Sequence, residues 1–186
     1  ELWEDWSLQP ERFLAPQTEV DGVLSKRNLC FTNKKRKEII NLVQNSLDYD
    51  IKLKCMNPKD YKSDRGQQTL LKIGYGTPLI ARKSISELEV AKNEIWSVKY
   101  IHTEQGELTL RFDEKEDIRI TYKECIMWFL SAYCITIHKA QGDTYNDKYT
   151  IHEWNKFSRD TYFHRRLRYV AQSRSTDPEN NITYKN

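Results

Sequence analysis

The segment AYCITIHKAQGDTYN, Ala132 to Asn146, decides how the rest of the chain is read. Its first half is an apolar, β-branched run carrying Tyr133, Ile135 and Ile137. The run stops at His138-Lys139 and again at Gln141-Gly142-Asp143-Thr144, where a glycine sits among polar neighbours. This is the pattern of an extended strand that delivers polar groups to the edge of a sheet. Further on, FHRRLRYVAQSRST, Phe163 to Thr176, places His164, Arg165, Arg166, Arg168 and Arg174 along a predicted helix, with Leu167, Tyr169 and Val170 available for packing. The first segment ends in hydrogen-bonding groups and the second delivers positive charge.

The remainder of the chain sets the bounds within which these segments act. With 186 residues the chain is long enough for one substantial core, or for one domain and a small insert. A formal net charge of +3 excludes no class of partner. Local charge is more informative: Lys26, Arg27 and Lys34 to Lys37 cluster early, Arg165 to Arg174 cluster late, and the stretch from Glu87 to Asp117 is acid-rich. That segregation predicts two basic faces and an acidic lobe turned away from a phosphate ligand, whereas a solvated helix face is the plainer reading of any one charge run. Cys30, Cys55, Cys125 and Cys134 lie in apolar or strand-like contexts without a C-x-x-C pair, which predicts reduced, buried thiols in an intracellular setting and no zinc site. No run is apolar and long enough to span a membrane, so no membrane partner is expected. Glu1 is not an initiator methionine, so the chain is expected to be a piece of a larger protein.

Together the two quoted segments resemble motifs V and VI of superfamily 1 helicases, whose usual forms are roughly A-Y-A-x-T-x-H-K-S-Q-G-x-T and Y-V-A-L-S-R-A. Ala132, Tyr133, Thr136, His138, Lys139, Gln141, Gly142 and Thr144 match the first, and Tyr169, Val170, Ala171, Ser173 and Arg174 match the second. Cys134, Ala140, Gln172 and Ser175 depart from the usual residues, and none of these changes removes the histidine, the glycine or the arginine. The pattern is most similar to the RecD-like and Dda-like branch, for which the resemblance implies 5′ to 3′ movement on single-stranded DNA and a role in DNA replication or repair. Abundant Asn, Lys and Ile point to an AT-rich genome, such as that of a large DNA virus or phage.

Earlier in the chain, Leu29-Cys30-Phe31 is a short predicted strand, Thr32 or Asn33 can cap a helix, and Ile39, Ile40, Val43 and Leu47 form its apolar face. A strand ending at a basic helix N-terminus offers free amides and a dipole to an anion. By resemblance this is motif IV, in which Thr32 and Asn33 would approach DNA and Arg36, within the run Lys34 to Lys37, is the nearest match to a nucleotide-contacting arginine. The same basic run also fits a solvated helix or a nuclear localisation patch.

Strand patterns follow at Ile51 to Cys55 and on both sides of a glycine turn in Leu70 to Arg82. Three alternating runs, EIWSVKYI, ELTLRF and IRITY, then suggest a small antiparallel barrel or curled sheet. The expected fold class is α/β, a RecA-like parallel sheet with flanking helices and an inserted small antiparallel β-barrel. The expected division is an irregular leading segment at 1–25, a second RecA-like motor domain at 26–92 and 123–186, and the inserted barrel at 93–122.

The chemistry implied by the resemblance divides between two faces. Arg174 matches an arginine finger, a fixed cation that neutralises charge developing on a transferred phosphoryl group, and such fingers change rates by on the order of 10³ to 10⁵. Gln141, Gly142, Asp143 and Thr144 would lie beside it at the nucleotide, while Thr136, His138 and Lys139 would donate to DNA phosphates, contacts that carry no base identity. A structural, buried histidine is the plainer alternative for His138, and a surface salt bridge for Arg174. The sequence contains no G-x-x-x-x-G-K-[ST] phosphate loop. ATP and Mg²⁺ are therefore expected in a longer protein, held with an N-terminal RecA-like domain, and the chain alone is expected to be inactive. Two function classes stand: half of a motor acting on single-stranded DNA and a duplex fork, or a helicase-derived module that binds nucleic acid or another partner without catalysis.

Overall fold

The computed structural model describes residues 27–54, 70–112, 115–157 and 161–186. The leading segment at 1–25, Cys55, the polar loop at 57–68 and part of the acidic turn that begins at Asp113 lie outside the described residues. The chain forms two compact units, one from the segments Glu1–Arg36 and Cys134–Asn186, the other from Lys37–Tyr133.

The first unit is built on a four-stranded sheet in the order β11-β10-β1-β9, where β1 is Arg27–Cys30, β9 Cys134–Thr136, β10 Tyr149–Ile151 and β11 Ile182–Tyr184. Every neighbouring pair is parallel, with Asn28 beside Cys134 and Thr150, and Tyr149 beside Ile182. Strands buried on both faces should be apolar throughout, and Leu29, Cys30, Cys134, Ile135, Tyr149 and Ile151 are all inaccessible or nearly so. Two buried polar groups satisfy each other across the central pair, His152 Nε2 lying 2.9 Å from Asn28 Oδ1. The last helix of length is α3, Tyr162–Gln172, capped by the Thr161 hydroxyl, which accepts from the His164 N–H. The short helix α4, Pro178–Asn181, starts on an Asp177 cap with proline in its first turn and leads into β11.

Helix α1, Asn33–Ser46, follows β1. Of the two candidate caps, Thr32 is the one used: its hydroxyl accepts from the Lys35 N–H at 3.2 Å. Ile39, Ile40 and Val43 are buried as the 3.6-residue period requires, while Leu47 lies beyond the helix and is exposed. Arg36 belongs to the buried side, 3% exposed, and Lys34 and Lys37 to the exposed one.

In the second unit an antiparallel five-stranded sheet runs in the order β7-β6-β5-β4-β8, a curled half-barrel. Its members are β4 (Pro78–Ala81), β5 (Ile95–His102), β6 (Glu107–Arg111), β7 (Ile118–Thr121) and β8 (Phe129–Ser131). The three runs expected between 93 and 122 are all strands. The sheet also reaches past those boundaries on both sides, because Leu79 pairs with Trp96 and, on its other edge, with Ser131. A register irregularity between Val98 and Tyr100 bends the longest strand, as a bulge does. Trp96, Val98, Leu108, Leu110, Ile120 and Phe129 fill the core beneath. Helix α2, Tyr122–Trp128, is held by a reciprocal capping box between Thr121 and Glu124. A separate hairpin pairs β2 (Ile51–Lys54) with β3 (Leu70–Ile73). At the start of β5 the left-handed conformation is taken by Asn93 (φ 73°), one of the few residue types that tolerate it. Among the described residues no helix is long and apolar enough to cross a membrane.

Candidate nucleic-acid interface

In a parallel sheet all strands end at the same edge, so the residues after β1, β9 and β10 are brought together by topology alone. Those residues are Phe31-Thr32, Ile137-His138-Lys139 and His152-Glu153. The pairing of β1 with β9 continues into the turn, where the Ile137 N–H donates to the Cys30 carbonyl at 3.0 Å. The turn then closes on itself through Lys139 and Ala140, whose N–H groups donate to the Thr136 carbonyl. Thr136 is half-buried and His138 exposed, so the histidine is not a core residue.

Glu153 is the residue this edge is built around, and the sequence reading did not single it out. Its carboxylate accepts from the N–H groups of Phe31 at 3.0 Å and Thr32 at 2.8 Å, from the Thr32 hydroxyl at 2.9 Å, and from the Lys156 ammonium. Only 6% of Glu153 is exposed. Burial opposes its ionisation, but the bonds from Lys156 and Thr32 outweigh it and hold the carboxyl below the usual glutamate range. The backbone is in the left-handed region, φ 62°, a conformation that costs a glutamate about 1–2 kcal/mol and that the four donors sustain. The anion held by the Phe31 and Thr32 amides, just before the start of α1, is thus the chain's own carboxylate. The Thr32 hydroxyl hydrogen is likewise committed, whereas Asn33 is exposed. A signal was present, since the apolar run Tyr149–Ile151 is followed by the polar pair His152-Glu153, as the run ending at Ile137 is followed by His138-Lys139.

Arg174 lies past the end of α3 and fastens it to the turn that follows β9. Its Nη1 donates to the Asp143 carbonyl at 2.9 Å and reaches the Ala140 carbonyl at 3.5 Å. Its Nε donates to the Val170 carbonyl and its Nη2 to the Ser173 hydroxyl, each at 3.0 Å. The backbones are joined as well, because the Tyr145 N–H donates to the Arg174 carbonyl at 2.6 Å and the Thr176 N–H to the Tyr145 carbonyl. Tyr145 is buried, its ring carries the Arg27 guanidinium 4.9 Å from the centroid, and its hydroxyl donates to Asp143. Burial raises the Asp143 carboxyl despite Tyr145 and Arg174 beside it. Tyr149 anchors the helix end from below, donating to the Ala171 carbonyl at 2.7 Å.

Gln141, Gly142 and Thr144 are exposed on this turn. Gly142 has φ 100°, and a Cβ placed there would meet nothing within 4 Å, so the glycine is needed for the shape of the turn and not for a close approach within the chain. Arg36 is a different case. It is buried, and its charge lowers the Cys134 thiol against a larger upward push from burial.

A cluster of rings completes the edge. Phe163 lies 6.3 Å from His138, 5.7 Å from His164 and 6.5 Å from Phe31 between centroids. Phe163 is 52% exposed and Tyr162 74%. The described residues of this unit carry twelve Lys and Arg against five Asp and Glu. Among the described residues no group of three or more His, Cys, Asp and Glu is placed to hold a metal ion.

No family model matches the chain, and no curated protein matches it in sequence. Solved structures do match in fold. A structure of Pif1 helicases described as unwinding forked double-stranded DNA superposes with a TM-score of 0.60 at 18% identity, covering 96% of this chain and 43% of that one. The Bacteroides Pif1 helicase in complex with ADP-AlF3 and single-stranded DNA gives 0.59 at 14%, covering 97% and 46%. Bacteroides Pif1 bound to single-stranded DNA gives 0.57 at 17%, covering 98% and 45%. The chain spans less than half the length of each. The described residues thus have the α/β fold found in a part of Pif1 helicases, with a RecA-like parallel sheet in one unit and a curled antiparallel sheet in the other.

Proposed function

We propose that this chain is the C-terminal, second RecA-like half of an ATP-dependent DNA helicase of superfamily 1, of the RecD-like and Dda-like branch, moving 5′ to 3′ on single-stranded DNA and opening duplex at a fork. The observation that carries the reading is the Arg174 guanidinium, fastened to the carbonyls of Ala140 and Asp143 so that motifs V and VI form one piece. Similarity in fold to Pif1 structures described with single-stranded DNA, forked DNA and ADP-AlF3 supports it.

In this reading Arg174, with Gln141, Gly142, Asp143 and Thr144, faces a nucleotide held with Mg²⁺ by an N-terminal RecA-like domain of the same protein. Hydrolysis of that nucleotide supplies the driving force. Arg174 contributes a cation whose orientation is set in advance by carbonyl acceptors, which is what electrostatic stabilisation of a developing charge requires. Thr136, His138, Lys139 and Asn33 meet DNA phosphates, with Thr32 holding the corner from which Asn33 projects. Arg36, being buried, acts on the nucleotide side through the position of α1. The setting is intracellular, and the residue usage fits a large DNA virus or phage.

One observation favours a second reading. Nε, Nη1 and Nη2 of Arg174 all have acceptors within the chain, as a purely structural clamp would, and this fits a non-catalytic module that binds nucleic acid. The two readings part on one measurement, DNA-stimulated ATP hydrolysis by the longer protein. A finger predicts a loss of about 10³-fold or more in Arg174→Ala with DNA binding retained, and incomplete recovery in Arg174→Lys, since an ammonium lacks the guanidinium fork. An unchanged rate removes Arg174 from catalysis. Steady ATP turnover by the present chain alone, free of contaminating ATPases, would overturn the whole reading.

A further inference from the structure

An exposed aromatic ring on a charged face is kept out of water only when something covers it, and Phe163 presents half of its surface on the first turn of α3. Its surroundings say what that cover is. Four rings from three segments converge: Phe31 after β1, His138 in the motif V turn, and Phe163 with His164 on α3. His138 and Phe163 are inclined by only 33°, so their faces are broadly aligned. The cluster is held in place, because the Thr161 hydroxyl lies 3.0 Å from His164 Nδ1 while also capping the helix. Cations border it on every segment: Lys139 follows His138, Lys34 and Lys35 follow Phe31 by one turn, and the Arg166 guanidinium lies over the Tyr162 ring at 5.5 Å. Flat apolar faces bordered by cations complement a ligand with flat faces and regularly spaced anions, and an unpaired nucleic-acid strand is that ligand.

We propose that Phe163, with His138 beside it, is a stacking platform for an unpaired base of the strand whose phosphates meet Lys139 and the start of α1. This rests on the reading of the edge as a nucleic-acid interface and adds to it a contact with bases as surfaces. Every base has such a face, so the platform is indifferent to sequence, but a duplex, whose bases are already stacked, cannot use it. The single strand is thereby preferred over the double one by the same side chain.

The test uses the full chain and a labelled oligothymidylate of about 12 nucleotides at low salt, with a second oligonucleotide of equal length and charge bearing abasic sites. Wild type should bind the intact strand about 10-fold more tightly than the abasic one. Phe163→Ala and Phe163→Leu should both lose that difference while keeping the affinity for the abasic strand, the leucine showing that apolar bulk does not replace a flat ring. Phe163→Trp should keep the difference, and its fluorescence should be quenched by the intact strand only. Thermal melting verifies the variants, and the two-strand comparison on wild type stands without them. Equal binding of both strands, unaltered by Phe163→Leu, overturns the platform and leaves the phosphate interface. Absence of binding to either strand overturns the interface itself, and the platform with it. Self-association of the chain that Phe163→Ala abolishes assigns the patch to a second copy and overturns the proposal.

Discussion

The two units of this chain set the same number of cations against very different numbers of acids. Among the described residues the parallel unit has twelve cations to five acids, and the antiparallel unit twelve to eleven. In the antiparallel unit acids and bases pair on the strands and in the turns beside them. Lys99 and Arg111 share Asp117, Arg119 meets Glu107, and Lys115 meets Glu94. Pairing of this kind neutralises the sheet surface locally and adds a few tenths of a kcal/mol per pair. In the parallel unit two of the five acids are drawn inward, Glu153 to backbone amides and Asp143 toward Tyr145, which leaves cations in excess. An excess of one sign over a unit is what gives a field that reaches a phosphate, and among the described residues only the parallel unit has a large one.

Four experiments break or sharpen this contrast. The largest effect belongs to the antiparallel core. Trp96 is fully buried, stacked near Phe112, and Trp96→Ala should destabilise by about 4 kcal/mol in denaturant unfolding, with the salt dependence of nucleic-acid binding unchanged. If that salt dependence changed, the two units would not divide the work as described. Next, Glu153→Ala should cost about 3 kcal/mol, because it leaves the Phe31 and Thr32 donors without their acceptor in a buried corner. The folded carboxyl titrates below the unfolded value of about 4.3, so its stabilisation is complete above that pH and is lost as pH falls through the lower, folded value. Glu153→Gln should therefore flatten the acid limb of a stability–pH curve, and an unaltered limb would show that the carboxylate is not what holds the corner.

Third, binding of a single strand should weaken by about 50-fold between 50 and 200 mM salt if roughly four phosphates are met by the cationic edge. Lys139→Ala should reduce the slope by about one contact, and a flat salt response would mean the excess positive charge serves another purpose. The smallest effect is at Gly142, where φ 100° makes Gly142→Ala a backbone penalty of about 1 kcal/mol without any clash. Thermal melting would register it. A neutral result would show that the turn relaxes.

What could be read in the sequence were the features that depend on neighbours a few residues apart. The strand before His138, the capped basic helix after Cys30, the arginine helix as far as Gln172, the three alternating runs and the α/β class all followed from periodicity, breakers and motif spacing, since those signals act within one element, whereas Arg174, expected on that helix, falls past its end. Tertiary structure alone decided which elements share a sheet. Leu79 pairs with Trp96 and Ser131, so the antiparallel sheet extends past the three runs that announced it. It also decided that the anion at the β1–α1 corner is a glutamate 121 residues along the chain from Thr32, and that Arg36 turns inward while Phe163 turns out. Hydrogen bonds between strands and charges brought together by chain crossing leave no periodic trace in either partner, because each partner's local pattern is already accounted for by the element it belongs to.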